Sequence, residues 1–109
     1  MPGPRPGEVA LDAPIRIQGR EAWLLSLLGP HFTCLCVNAE IPDPLPPEVR
    51  TLRCGQDFVD PDGRFAERYS GGESAIYLIR PDQHVAARFR QATAQELHEA
   101  WCRSLAPMN

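Results

Sequence analysis

The stretch Ser74-Ala-Ile-Tyr-Leu-Ile-Arg80-Pro-Asp-Gln-His-Val-Ala-Ala-Arg88-Phe-Arg90 decides how this chain folds. An apolar run from Ala75 to Ile79 ends in Arg80-Pro81-Asp82-Gln83-His84. Pro81 presets φ for a turn, and Asp82 offers a short carboxylate to the turn's backbone N–H groups. Val85 to Phe89 then returns, so residues 74–90 read as a β-hairpin. The two-residue period puts Ile76 and Leu78 on one face and Tyr77 and Ile79 on the other.

Beyond the hairpin, Thr93 followed by Glu96 is a capping box, and Ala94, Leu97, Ala100, Trp101 and Leu105 form the apolar stripe of a closing helix. Before it, Phe32 to Val37 is a β-rich apolar segment that reads as a central strand, and Val49 to Cys54 as its neighbour. Asp60-Pro61-Asp62-Gly63 is turn chemistry leading to a short helix through Phe65, Ala66 and Tyr69, which Gly71-Gly72 ends. Ile15 and Ile17 mark a brief strand closed by Gly19. Trp23, Leu24, Leu27 and Leu28 share one side at helical spacing, which predicts a helix over residues 20–28 stopped by Gly29-Pro30.

Twelve prolines punctuate this order. Three stand within residues 2–6, giving an extended arm, and four within residues 42–47, where a helix would lose donors and clash with its own carbonyls. The expected organisation is an N-terminal arm or linker over residues 1–13, mobile in part, a domain over 14–106 and a tail over 107–109. Its order is β, α, β, loop, β, short α, hairpin, α. That describes a thioredoxin-like α/β domain: a mixed central sheet with helices on its faces, a C-terminal hairpin and a closing helix.

The chain has 109 residues and a net charge of -3, the size of one domain. All 11 basic residues are Arg. The missing lysine excludes a Schiff-base nucleophile and a phosphate-loop lysine, and the absence of an Arg cluster speaks against nucleic acid. The apolar run Ala22–Leu28 is far short of a membrane span, and the N-terminus lacks the charged-then-apolar pattern of a secretory signal, so the expected address is cytoplasmic.

Redox chemistry in a thioredoxin-like domain needs Cys-x-x-Cys at a helix N-terminus, where the dipole favours the thiolate. Here Cys34 and Cys36 alternate within a strand, side chains on one face, and prolines follow instead of a helix. A proline just before the hairpin's first strand is missing too: Glu73, Ser74 and Ala75 stand there, and Pro81 comes after the strand. Cys34 and Cys36 therefore read as buried small hydrophobes. The alternative is a divergent thiol oxidoreductase using one of them, and a pairing of Cys54 with either stays open. Cys102 lies on the last helix without a sequence-local partner.

His31, His84, His98 and the four cysteines match no zinc spacing, so no metal site is expected. Asp57, Asp60, Asp62, Glu67 and Asp82 could supply an acid/base pair, but Asp60 and Asp62 sit in turn and cap contexts, so no catalytic pair is expected. No Gly-rich strand-to-helix turn exists to cradle a dinucleotide, so no cofactor-binding residue is assigned.

Tyr77-Leu78-Ile79-Arg80-Pro81-Asp82-Gln83-His84-Val85-Ala86-Ala87-Arg88 resembles a stretch near the C-terminus of FAD-dependent aromatic-ring hydroxylases of the phenol hydroxylase and 3-(3-hydroxyphenyl)propionate hydroxylase type. There it runs apolar-apolar-Arg-Pro-Asp-x-x-Val-Ala-x-Arg. Arg5-Pro6-Gly7 with Leu11, Leu27-Leu28-Gly29 with Phe32, and Asp60, Gly63 and Tyr69 extend the likeness over nearly the whole chain. Trp is common in that family where Ala87 stands, and Gly where Gln83 stands. The resemblance implies a thioredoxin-like C-terminal domain without redox cysteines, serving packing, dimerisation or stability, with FAD and substrate held by other domains in cis or trans. Arg80, Pro81, Asp82 and Arg88 are the motif residues and candidate interface groups; the arginines read equally well as plain surface charges.

Overall fold

The computed structural model describes residues 2–105; the tail expected over 107–109 lies outside them. Six strands and two helices follow one another: β1 (Pro14–Ile17), β2 (Arg20–Trp23), β3 (Phe32–Val37), β4 (Val49–Arg53), α1 (Arg64–Ser70), β5 (Ala75–Ile79), β6 (Val85–Phe89) and α2 (Ala94–Leu105). The main sheet has the order β4-β3-β5-β6, with β3 parallel to β4 and the other neighbours antiparallel. The expected mixed α/β architecture with its hairpin and closing helix is thus present.

Alternation along β3 and β5 divides the interior. Leu35, Val37, Tyr77 and Ile79 enter one core with Phe65 and Tyr69 of α1 and Ile15 of β1. Cys34, Cys36, Ile76 and Leu78 enter the other, closed by Leu97 and Ala100 of α2. A strand covered on both faces is apolar along nearly its whole length: β5 is apolar throughout, and β3 throughout except for the buried Thr33.

Both helices carry the caps their sequences call for. Thr93 Oγ1 accepts from the Glu96 N–H at 3.1 Å while Glu96 Oε1 accepts from the Thr93 N–H at 3.0 Å, a reciprocal capping box. Asp60 accepts from the Phe65 and Ala66 N–H groups at 3.1 and 2.9 Å, taking the first amides of α1. Gly71, with φ 64, ends that helix in the left-handed region where glycine costs least.

The segment 20–28 departs from the helix expected of it. Arg20–Trp23 is a strand paired antiparallel with β1, and Leu24–Leu27 forms one 3-10 turn. The reason lies one step upstream. Gln18 and Gly19 have φ 50 and 78, both left-handed as a two-residue hairpin turn demands. That turn commits Arg20 onward to pair with Ile17. Leu24 and Leu28 are buried all the same, and Asp12 Oδ1 accepts from the Leu25 N–H at 3.0 Å.

The arm, read as a linker, runs along the hairpin. Gly7 N–H donates to the Val85 carbonyl at 2.8 Å, Val85 N–H to Glu8 at 2.8 Å and Ala10 N–H to Gln83 at 2.7 Å. Ala10 and Ala13 are buried behind it. No helix among the described residues is long and apolar enough to cross a membrane.

Candidate functional site

The motif residues do two separate jobs. At the hairpin tip Arg80 Nη2 pairs with Asp82 Oδ2 at 2.5 Å, and Asp82 Oδ1 accepts from the His84 N–H at 3.2 Å. All three side chains reach solvent, so this is a self-satisfied turn with exposed charges. Gln83 sits at φ 68. A side chain at left-handed φ is uncommon, which gives a physical reason for glycine in the resembling family.

Arg88 faces inward instead. Its Nη1 donates to the carbonyls of Gly3 and Pro4 at 3.0 and 3.3 Å, so the guanidinium clamps the arm rather than standing as a plain surface charge. Beside it the Tyr77 hydroxyl donates to the Tyr69 carbonyl, and the Tyr69 hydroxyl donates to the Leu11 carbonyl at 2.5 Å. Burial pushes both phenols above their ordinary value, keeping them neutral donors. Gly3, at φ 105, is required there: a Cβ would lie 2.6 Å from the Tyr69 carbonyl oxygen. Sequence reading gave Arg88 a place in the motif but not this partner, since arm carbonyls leave no trace in side-chain pattern.

Cys34 and Cys36 lie on one face of β3 with their sulfurs 3.8 Å apart, both buried. The hydrogen bond between them divides the pair: with burial it pushes Cys34 far up, while it draws Cys36 down against burial. No helix follows β3 to stabilise a thiolate, and the ordered loop of residues 38–48 leads directly to β4. A bond from Cys54 to either is ruled out by the pleat. Cys36 is in register with Arg53, which turns Cys54 to the opposite face, against the other core. Cys36, Asn38, Glu40, Arg53, Cys54 and Gln56 line a cavity of 390 Å³ at the ends of β3 and β4. Arg53 there is tied to Asp57 at 3.3 Å.

A dinucleotide's pyrophosphate rests on free amides at a helix N-terminus. Here Asp60 takes the Phe65 and Ala66 amides of α1, and Thr93 Oγ1 takes the Glu96 amide of α2. No group of three or more His, Cys, Asp or Glu side chains among the described residues could hold a metal ion. One pair escaped the sequence reading: Cys102 Sγ lies 3.4 Å from His98 Nε2, both exposed on α2. The signal was four-residue spacing within the helix.

No family model matches this chain. It is 30% identical to aklavinone 12-hydroxylase RdmE of Streptomyces purpurascens over 85% of its own length and 19% of that protein. It is also 30% identical to a 4-methyl-5-nitrocatechol 5-monooxygenase of a Burkholderia species, over 79% of the chain and 18% of the relative. Among solved structures it superposes on aklavinone-11 hydroxylase in complex with FAD and aklavinone, with a TM-score of 0.74 and 27% identity over 89% of the chain. It superposes likewise on the flavin-dependent monooxygenase PieE in complex with FAD and substrate, with a TM-score of 0.75 and 28% identity. The chain spans about a fifth of the length of each of these proteins.

Proposed function

We propose that this chain, which resembles FAD-dependent aromatic hydroxylases over most of its own length and a fifth of theirs, is the non-catalytic C-terminal accessory domain of such an enzyme, excised or separately encoded. The observation that carries the reading is the mismatch of lengths. The likeness spans nearly the whole chain, yet four-fifths of each flavoprotein has no counterpart in it. The caps at both helix N-termini support it, because Asp60 and Thr93 already bond amides that a pyrophosphate would need.

On this reading FAD and the aromatic substrate belong to a flavin-binding partner, in cis or trans, and the chain contributes packing or subunit association, including a homodimer. The sheet order β4-β3-β5-β6 agrees with a thioredoxin-like domain whose first crossover helix has been replaced by the proline loop. The exposed tip at Arg80, Pro81 and Asp82 is the motif segment free to meet a partner, since Arg88 is engaged with the arm. The protein is expected to work in the cytoplasm.

Two measurements test the proposal together. The purified chain is expected to be colourless and to leave FAD fluorescence unchanged on titration, while affinity purification from its native cells brings down a flavoprotein in fixed proportion. Stoichiometric flavin in the isolated chain would overturn it. So would rapid turnover of a dithiol–disulfide substrate, which is the behaviour of the thiol oxidoreductase that Cys34 or Cys36 would otherwise serve.

A further inference from the structure

We propose that His98 and Cys102 form a two-point binding site for a soft divalent cation, with zinc as the favoured ion. The site is independent of the accessory-domain reading. Both side chains project from one face of α2, one turn apart, with Sγ and Nε2 at 3.4 Å. In a tetrahedral zinc site with bonds of about 2.3 Å to sulfur and about 2.0 Å to nitrogen, neighbouring S and N ligands stand about 3.6 Å apart. The two atoms therefore already sit near the edge of a coordination tetrahedron.

The ring that supplies the nitrogen is braced. His98 lies against Trp101, with centroids 5.7 Å apart, and Trp101 meets Phe32 of β3 edge-on at 6.5 Å. These tilted and edge-on contacts link the His98 ring to the sheet on one side and leave its Nε2 towards Cys102. Thiolate and imidazole together suit zinc better than calcium or magnesium, which prefer oxygen. Binding takes Cys102 as the thiolate, and its proton passes to solvent. The remaining two positions face outward, to be filled by water or by the same pair from a second copy, which would complete a Cys2His2 set.

The test is titration of the tag-free, reduced chain with Zn²⁺ against a chromophoric chelator, and with Co²⁺ as a spectroscopic probe. We expect saturation at one ion per chain if water completes the site, or at one ion per two chains, with metal-dependent dimers in sedimentation, if a second copy does. Either stoichiometry supports the site. His98→Ala and Cys102→Ser are each expected to weaken binding at least about tenfold, and Cys102→Ser to abolish the sulfur-to-cobalt charge-transfer band. Cys54→Ser is expected to change neither. Both substituted positions are exposed, so unaltered circular dichroism will confirm that the variants fold. Zn²⁺ affinity equal in the wild type and the His98→Ala/Cys102→Ser double variant, or a cobalt–sulfur band that persists in Cys102→Ser, overturns the proposal.

Discussion

Arg88 shows how much a single side chain can organise. Its guanidinium holds the two arm carbonyls of Gly3 and Pro4 over the phenols of Tyr77 and Tyr69. Arg88→Met keeps the stem and removes the donors. It is expected to cost about 1–3 kcal/mol in urea unfolding and to speed amide exchange at Gly7 and Ala10, whose bonds hold the arm to the hairpin. Unchanged exchange at those amides would refute the clamp. Cys54 carries a pH signature. Burial, then the nearby charge of Asp60, pushes its thiol up to about 11. A raised value in the folded state means that the unfolded chain releases its proton first on going alkaline. The stabilisation is whole below about pH 9 and is lost as pH rises towards about 11. Cys54→Ala is expected to flatten the fall of the urea midpoint between about pH 8 and about pH 10; parallel slopes in variant and wild type would exclude that origin.

The elements differ in how openly their sequences declared them. β5, the turn, β6 and α2 were legible because each carries a complete local signal: two-residue alternation, Pro-Asp turn chemistry and a capping box realised at 3.1 and 3.0 Å. Thr93→Ala is expected to cost about 1 kcal/mol by freeing an N-terminal amide of α2, whereas Leu97→Ala, from a wholly buried side chain, costs about 2–5 kcal/mol. Thermal or urea melts that reverse this ranking would show α2 to be peripheral to the second core. Residues 20–28 were misleading because two signals compete there. Leucines at helical spacing favour a helix, but the left-handed pair Gln18-Gly19 turns the chain back onto β1, and a glutamine at its first position gives little sign of such a turn. The same limit applied to the candidate site. A helical four-residue step relates His98 to Cys102, but nothing in the sequence marks the stack on Phe32 that steadies the ring.

In the whole molecule the four thiols sample three environments. Cys102 is exposed and Cys54 partly so, while Cys34 and Cys36 lie under α2 in the second core. A disulfide reagent in excess is therefore expected to label Cys102 first and Cys54 next. Cys34 and Cys36 should follow only at the rate of opening of the α2-covered face, so urea that leaves the fold intact hardly accelerates the first and strongly accelerates the last. Equal rates for all four by mass spectrometry would contradict the two-core arrangement. The arm adds a mechanical consequence. It lies alongside β6, joined at Gly7, Glu8 and Ala10, with the Arg88 clamp nearer its start. A pull on Pro2 along the arm loads these bonds together in shear, and a pull away from the sheet peels them singly from the Arg88 end. Any tether at this terminus thus transmits force into the hairpin along one direction and lets go along another, a directional coupling.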